Sequence, residues 1–260
     1  MNPKISIITI NYNNVEGLKR TFKSVHGQTW KNFEYIIIDG GSKDGSVDYL
    51  YSIDSKVDYW ISEPDNGVYS AMNKGIKEAN GEYLLFLNSG DHFYNDRVLE
   101  KNIKYIEQSE IIYFNLKVSD KTDNFIKRYP EILSFSYFVK DTLPHPATFI
   151  KKSLFDKIGV YNEDLKIVSD WKFFIDSICK NNVSYKRIDN TLSVFYLDGM
   201  SSKPNNKALI VNERQKVLGT EYGAFIKDFD DVIKYRALIT GLRKSRIINL
   251  LIKLGFLHKF

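Results

Sequence analysis

The chain has 260 residues, 43% of them hydrophobic and 27% charged, which suits one large globular domain or one domain with an appendage. Its net charge is +5, yet seven Lys or Arg and no Asp or Glu fall in residues 232–260, so the rest of the chain is close to neutral. Because a nucleic-acid-binding protein would spread its basic residues over a broad face, we expect no nucleic-acid partner.

The first 91 residues alternate strand and helix patterns. Apolar, β-branched runs, typical of strands buried on both faces, predict four strands, at residues 5–10, 33–38, 57–62 and 83–87. Helical patterns connect them, at residues 15–26, 46–51 and 68–79. This succession predicts an α/β fold with a Rossmann-like, mostly parallel sheet and helices on both faces.

Beyond Asp91 the pattern loosens into mixed α and β structure. Helices are predicted at residues 97–108 and 169–179, and strands at residues 111–118, 144–150 and 183–196. Residues 205–260 have mainly helical patterns. We therefore predict one domain at 1–202, with halves at 1–91 and 92–202, and a helical C-terminal appendage at 203–260.

Acidic residues follow three of the predicted strands, at the sheet edge where ligands of such folds bind. Asp39, Asp65 and Asp91 would repel one another there unless a cation or hydrogen-bond donors lie between them. Mg²⁺ and Mn²⁺ take carboxylate oxygens and share their coordination with phosphates. Turn formation explains each Asp singly, but the three together favour a nucleoside diphosphate site with a divalent metal.

Several blocks of the sequence are distinctive: Ser6–Asn13, Asp39–Gly45, Asp65–Ile76, Leu87–Asp91, His145–Phe149 and Ser169–Trp171. These blocks, in this order, resemble those of the family 2 glycosyltransferases. The resemblance covers residues 4–202 and implies a GT-A fold, with a nucleotide-binding half at 1–91 and an acceptor-binding half at 92–202. It also implies an inverting transferase that moves a hexosyl or related sugar from a nucleotide sugar, UDP-linked by preference, to an acceptor hydroxyl.

The resemblance further implies a role for each matched residue. Asp91 would hold Mn²⁺ or Mg²⁺, and Asp170 would be the general base that takes the acceptor proton. His145 and Trp171 would lie on the acceptor or phosphate side. Eleven residues would bind the donor: Thr9, Asn11, Tyr12, Asp39, Asp65, Gly67, Tyr69, Asn73, Lys74, Asn88 and Ser89.

Structural explanations of these residues stay open at this point. The family often has two acidic residues in its metal motif, whereas residues 88–91 contain Asp91 alone. Asp170 could simply begin a helix, where a carboxylate is favourable. His145 could stiffen a loop between two prolines, and Trp171 could pack in the core.

Two other classes of protein also stay open. A sugar-nucleotide-binding module without activity is one, although the intact Asp91 and Asp170 disfavour it. A sugar nucleotidyltransferase usually carries a Gly-rich basic loop after its first strand, and residues 11–14 have neither Gly nor Arg. We therefore expect an enzyme rather than either alternative.

The basic C-terminal segment interleaves its charges with Ile and Leu. Basic amphipathic helices commonly lie on anionic membrane surfaces, but packing on the domain or on a second subunit of a homodimer is equally compatible. No apolar run reaches the ~18 residues of a membrane span, and nothing before Ile5 resembles a signal peptide. We expect a cytoplasmic protein, and the sequence leaves open whether residues 234–260 contact the inner face of the membrane or pack on protein. Its acceptor would be a saccharide or lipid-linked saccharide in cell-envelope or extracellular polysaccharide synthesis.

Overall fold

A computed structural model describes residues 3–120, 124–197, 199 and 203–258 of the chain. The chain divides into two compact units, Met1–Glu213 and Arg214–Phe260. The division falls within the helix Lys207–Glu221. Each unit is built from a continuous segment, and the first contains every residue that the sequence singles out for chemistry.

The first half of the larger unit contains four parallel strands. They are β1 (Ile5–Asn11), β2 (Phe33–Asp39), β3 (Tyr59–Ser62) and β4 (Tyr83–Phe86), in the sheet order β3-β2-β1-β4. Three helices connect them: α1 (Val15–His26), α2 (Ser46–Ile53) and α3 (Val68–Glu78). The parallel succession predicted from the sequence is confirmed.

The packing of α3 on β1 depends on a close approach of the α3 backbone to the side chain of Ile8. A Cβ atom at Gly75 of α3 would lie 2.5 Å from Cγ2 of Ile8, far inside van der Waals contact. Every residue of β1 is buried, as expected of a central strand covered on both faces. The side chain of the buried Thr9 is satisfied, because its hydroxyl donates to the Leu87 carbonyl at 2.7 Å.

The second half extends the same sheet with mixed pairing. Its strands are β5 (His92–Phe93), β6 (Ile111–Ser119), β7 (Asn124–Lys127), β8 (Thr148–Lys151) and β9 (Tyr185–Tyr196). β8 joins the halves by antiparallel pairing with both β4 and β6, while β6 and β9 are parallel across a bulge next to Asn115. The helices are α4 (Val98–Asn102), α5 (Phe135–Phe138), α6 (Ser153–Ile158) and α7 (Ser169–Ile175).

Several boundaries in this half differ from the prediction. The strand predicted at 144–150 begins only at Thr148, because His145–Ala147 form a 3₁₀ turn. Pro144 and Pro146 lack the N–H that a sheet ladder needs. The helix predicted at 97–108 ends at Asn102, where a 3₁₀ turn follows.

Helices make up the C-terminal part of the chain, as predicted. α8 spans Lys207–Glu221, α9 spans Gly223–Lys244 and α10 spans Arg246–Lys253. None of the helices in the described residues combines the length and the apolarity that crossing a bilayer requires.

Candidate active site

A cavity of about 680 Å³ opens at the carboxyl ends of the four parallel strands. Ten of the residues predicted from the sequence contribute to its wall: Asn11, Tyr12, Asp65, Gly67, Tyr69, Asn88, Ser89, Asp91, His145 and Asp170. Five others lie outside the wall: Thr9, Asp39, Asn73, Lys74 and Trp171. The fold therefore brings most of the predicted set to one concave site, the usual geometry of a small-molecule pocket.

Asp39 holds the ends of three strands together from beneath this site. Its carboxylate is fully buried and accepts five hydrogen bonds. The donors are Asn11 Nδ2 at 2.6 Å, Ser42 Oγ at 2.6 Å, Ser62 Oγ at 2.6 Å, Ser42 N at 2.9 Å and Gly41 N at 3.2 Å. Gly41 has φ +78°, a conformation that favours glycine. Asp39 thus organises the edge, with its acceptor capacity met by the protein itself.

The turn at residues 88–91 is anchored by Thr21, a buried residue of α1. The Gly90 amide donates to Thr21 Oγ1 at 3.0 Å, and the Thr21 hydroxyl donates to the Asp91 carbonyl at 2.7 Å. Asn14, which caps α1, donates to the Ser89 carbonyl at 3.1 Å. These contacts fix the backbone that presents Asp91 to the cavity.

Three residues of that turn with oxygen-bearing side chains line the cavity: Asn88, Ser89 and Asp91. The Asp91 side chain is largely buried in the wall. The amide oxygen of Asn88, three residues earlier, is buried and has no hydrogen-bond partner in the described residues. Carboxylate and amide oxygens are ligands that Mg²⁺ accepts. In the described ranges no group of three or more His, Cys, Asp or Glu could hold a metal ion, so most of the ligands for one would have to come from elsewhere.

Asp65 lines the cavity and forms an ion pair with Lys74 of α3. Lys74 Nζ contacts Asp65 at 2.6 Å and Glu63 at 2.7 Å. Burial opposes the charge of Lys74, but the hydrogen bonds to the two carboxylates outweigh it and raise the lysine pKa. The positive charge thereby offsets the acidity of this side of the cavity.

The exposed ring of Tyr12 forms the outer part of the same side. A Cβ atom at Gly40 would lie 3.1 Å from both Tyr12 Cδ2 and Asp65 Oδ2. A larger residue at position 40 would therefore press on the ring and the carboxylate together. Because Gly40 has no side chain, the Tyr12 ring is not crowded from this side. The ring is exposed to solvent and provides a flat surface on which a planar base can stack.

Asp170 stands in the first turn of α7 and also lines the cavity. The Tyr69 hydroxyl lies 2.8 Å from Asp170 Oδ1 and 2.6 Å from the Ile167 carbonyl, so its proton is shared between two acceptors. Burial and the charge of Asp170 raise the pKa of Tyr69 well above its usual range, which keeps this hydroxyl a donor. Glu213 of α8 holds the loop that precedes α7. Its carboxylate accepts hydrogen bonds from the backbone amides of Lys166 and Ile167 at 2.6 and 3.1 Å.

His145 packs in an aromatic cluster next to the cavity. Its Nε2 lies 2.7 Å from the Tyr161 hydroxyl, and its ring stacks on Phe86 with centroids 4.9 Å apart. Burial lowers the pKa of His145, and the negative charge of Asp170 opposes that shift only in part. The histidine is therefore neutral near pH 7, placed as a hydrogen-bonding group rather than a cation.

Asn73 and Trp171 have structural contacts in place of cavity contacts. Asn73 Nδ2 donates to the Tyr161 carbonyl at 2.9 Å and its Oδ1 accepts from the Tyr161 amide at 3.0 Å, which fastens the Tyr161 loop to α3. Trp171 is buried, and its Nε1 donates to the Phe138 carbonyl at 2.7 Å. Their predicted contacts with substrate stay predictions.

The prediction from the sequence did not include the other residues of the cavity wall. They are Ile10, Asn14, Gly40, Pro64, Val68, Ala71, Met72, Pro146, Lys166, Ile167, Phe195, Tyr196 and Gly199. Tyr196 is stacked under the guanidinium of Arg20, 4.5 Å from the ring centre. Arg20 and Tyr196 are 176 positions apart in the sequence, so no local motif connects them.

Residues 6–167 match the model of the family described as glycosyl transferase family 2. The chain belongs to this family, and the predicted membership is confirmed. It is a glycosyltransferase.

Two curated relatives agree with that membership. An uncharacterized glycosyltransferase of Mycobacterium tuberculosis is 38% identical over 178 residues, 66% of this chain and 68% of the relative. A PGL/p-HBAD biosynthesis glycosyltransferase of Mycobacterium bovis is 31% identical over 180 residues, 66% of this chain and 69% of the relative.

Solved structures share the fold at low sequence identity. S. aureus TarS 1-349 in complex with UDP has a TM-score of 0.61 at 19% identity, covering 74% of this chain and 60% of that one. The mannosyltransferase PcManGT of Pyrobaculum calidifontis, in complex with GDP-Man and Mn²⁺, has a TM-score of 0.58 at 11% identity, covering 97% and 84%. These similarities confirm the predicted GT-A type of fold.

Proposed function

We propose that the chain is an inverting glycosyltransferase that moves a sugar from a nucleoside diphosphate, preferably UDP, to an acceptor hydroxyl. The observation that carries the proposal is the single cavity that holds Asp91 on the nucleotide-binding half and Asp170 on the acceptor-binding half. The UDP bound in TarS and the GDP-Man bound in PcManGT support a nucleotide-sugar donor.

The nucleoside would lie against the edge formed by the ends of β1, β2 and β3. Tyr12 offers a face for stacking the base, and Asp65 a carboxylate for base or ribose donors. Asp39 would act there through Asn11 and Ser42, whose positions it fixes. The donor diphosphate would then extend towards the turn at residues 88–91.

The residues of that turn fit a divalent metal. Asp91 provides one carboxylate, and the unpartnered amide oxygen of Asn88 provides a second hard oxygen. Mg²⁺ and Mn²⁺ are commonly held by one or two carboxylates together with substrate phosphates. When bound, the ion would supply Lewis-acid stabilisation of the charge on the departing diphosphate. The Mn²⁺ in PcManGT supports this assignment.

Asp170 would remove the proton of the acceptor hydroxyl as that oxygen attacks the sugar. A base must lie within hydrogen-bond reach of the proton that it takes, and Asp170 lines the cavity. The Tyr69 hydroxyl orients the carboxylate by holding Oδ1. The second carboxylate oxygen is then the one placed for the acceptor. A single displacement of this kind inverts the anomeric configuration.

The acceptor is proposed to be a saccharide or lipid-linked saccharide of the cell envelope or of an extracellular polysaccharide, glycosylated in the cytoplasm. The PGL/p-HBAD biosynthesis relative supports an envelope role. Lys166, in the loop before α7, and Tyr196, at the end of β9, lie outside the family motifs; both line the cavity and would contribute to acceptor choice.

A donor screen followed by product analysis tests the function. The purified chain is incubated with Mn²⁺, UDP- or GDP-sugars and a panel of saccharide and prenyl-phosphate acceptors, and the product's anomeric configuration is read by proton NMR. Transfer with inversion is expected. A retained configuration contradicts the displacement through Asp170. Donor binding without hydrolysis or transfer to any acceptor would indicate the sugar-nucleotide-binding module instead.

A further inference from the structure

The short helix α10 has two apolar sectors with different exposure. Ile248, Leu251 and Ile252 are half-buried, whereas Ile247, Leu250 and Leu254 are 71%, 56% and 60% exposed. Residues at i, i+3 and i+7 share one side of an α-helix, so the three exposed side chains form a single stripe. An exposed stripe of Ile and Leu on a helix that already packs a separate sector needs a partner.

The chain leaves this helix without burying the next apolar residues. Gly255 adopts φ +79°, and the Phe256 amide donates to the Leu251 carbonyl at 2.9 Å, which ends the helix in a left-handed cap. Phe256 and Leu257 follow directly and are both exposed. The stripe and these two residues form one apolar surface, which we call the α10 face: Ile247, Leu250, Leu254, Phe256 and Leu257.

Basic side chains border the α10 face. At about 100° per residue, Arg246 and Lys253 fall on the side of the helix next to Leu250, between the exposed stripe and Asn249. Arg243 and Lys244 close the preceding helix, and no Asp or Glu occurs after Asp231. Interfacial helices have this arrangement, with an apolar face bounded by cations.

We propose that the α10 face docks on an anionic lipid bilayer. Charge complementarity selects this partner over a second copy of the chain. An isologous dimer would oppose the same patch on both subunits and so bring the Arg246 and Lys253 cations of the two subunits towards one another. Acidic headgroups instead attract the cations while the acyl boundary accepts the Ile, Leu and Phe side chains. The proposal is independent of the donor and of the reaction assigned above.

Vesicle sedimentation with the full chain tests the proposal. Vesicles of equimolar phosphatidylglycerol and phosphatidylcholine at low salt should carry most of the protein into the pellet, and pure phosphatidylcholine vesicles should carry little. High salt should weaken the binding severalfold, because screening removes the electrostatic part. Protein that stays in the supernatant with the anionic vesicles at low salt overturns the proposal.

Substitutions locate the surface. The double variant Leu250→Gln/Leu254→Gln should lower vesicle binding at least tenfold, while Ile132→Gln, which changes a 78% exposed residue of the first unit, should not alter it. Circular dichroism and donor binding confirm that each variant is folded. Wild-type vesicle binding by the folded double variant overturns the assignment to the α10 face. So does size-exclusion chromatography in which the wild type is a dimer and only the double variant is a monomer.

Discussion

The Tyr69 hydroxyl donates to Asp170 Oδ1 at 2.8 Å and so connects the two halves of the glycosyltransferase domain. Tyr69 belongs to the first turn of α3, in the half that would bind the nucleotide, and Asp170 belongs to the first turn of α7. The family resemblance implied that Tyr69 binds the donor and that Asp170 takes the proton, without relating the two residues. Their contact anchors the carboxylate proposed as the general base to a residue of the half proposed to bind the nucleotide.

Tyr69→Phe should slow turnover while leaving donor affinity almost unchanged. The variant keeps the ring and removes the donor to Asp170, and a hydrogen bond to a charged group contributes roughly 1.5–3 kcal/mol. We therefore expect kcat to fall about 10- to 100-fold. Steady-state kinetics and calorimetry with the donor measure the two effects separately.

Tyr12→Phe is the matched control for that variant. It also removes one phenolic hydroxyl, but from an exposed ring at the mouth of the cavity, and it preserves the face for stacking. Its kcat and donor affinity should both stay near wild type. Equal losses in the two variants would mean that the Tyr69 hydroxyl has no special relation to Asp170.

Asp170→Asn should bind the donor normally and lose about 10²- to 10⁴-fold in kcat, the usual contribution of a general base. The amide has the same size and can still accept from Tyr69, so the loop should keep its shape. Asp164→Asn changes an exposed carboxylate of the loop that precedes α7 and serves as the control. A slow Asp164→Asn and a fast Asp170→Asn would transfer the role to another residue.

Asp91→Asn should abolish the dependence of donor binding on a divalent ion. Calorimetry with UDP, in Mn²⁺ and in EDTA, should give a large difference for the wild type and none for the variant. Asp96→Asn, at an exposed acidic residue shortly after the turn, should behave like the wild type. Metal-dependent affinity that persists in Asp91→Asn would remove this residue from the metal site.

The strands and their carboxyl ends could be predicted because their signals are local. β1 and β2 are β-branched runs, and each stops at a polar cluster whose composition marks a turn. The parallel order then brings those clusters together without further information. The strands β5 and β7 have no such signal, because β5 has only two residues and β7 contains only two apolar residues, Phe125 and Ile126.

The supporting contacts of the site could not be predicted for a different reason. Thr21 lies on the buried face of α1, where its position by itself indicates only core packing, yet its hydroxyl holds the turn that presents Asp91. Lys166 and Tyr196 reach the cavity through packing between segments far apart in the chain. The serines that satisfy Asp39 had a weak local signal, since Ser42 follows an Asp by three residues in a turn.

Thr21→Val should weaken both the fold and the metal site. Valine has nearly the same shape, so the main change is that the Gly90 amide and the Asp91 carbonyl lose their buried partner. Leaving such groups unsatisfied costs about 1–3 kcal/mol. Urea unfolding should show this loss, and Mn²⁺-dependent UDP binding should fall as the turn relaxes. Unchanged binding at full stability would show that the turn holds its shape without Thr21.

His145 should make the protein less stable in mild acid. Burial lowers its pKa below the ordinary value of 6.5, and the opposing charge of Asp170 does not cancel that shift. As the pH falls through that ordinary value, the unfolded chain takes up a proton that the folded protein still excludes. The free energy of unfolding therefore decreases as the pH falls from the pKa of the unfolded histidine to the lower pKa of His145 in the folded protein. His145→Gln, which can still form a hydrogen bond with the Tyr161 hydroxyl, has no such titration. Urea unfolding at two pH values, one on each side of this interval, should show a smaller pH-dependent loss of unfolding free energy in His145→Gln than in the wild type.

His26→Gln is the control for this variant, because it changes an exposed histidine, and it should follow the wild type. Equal losses in all three proteins would show that the buried imidazole does not control acid stability.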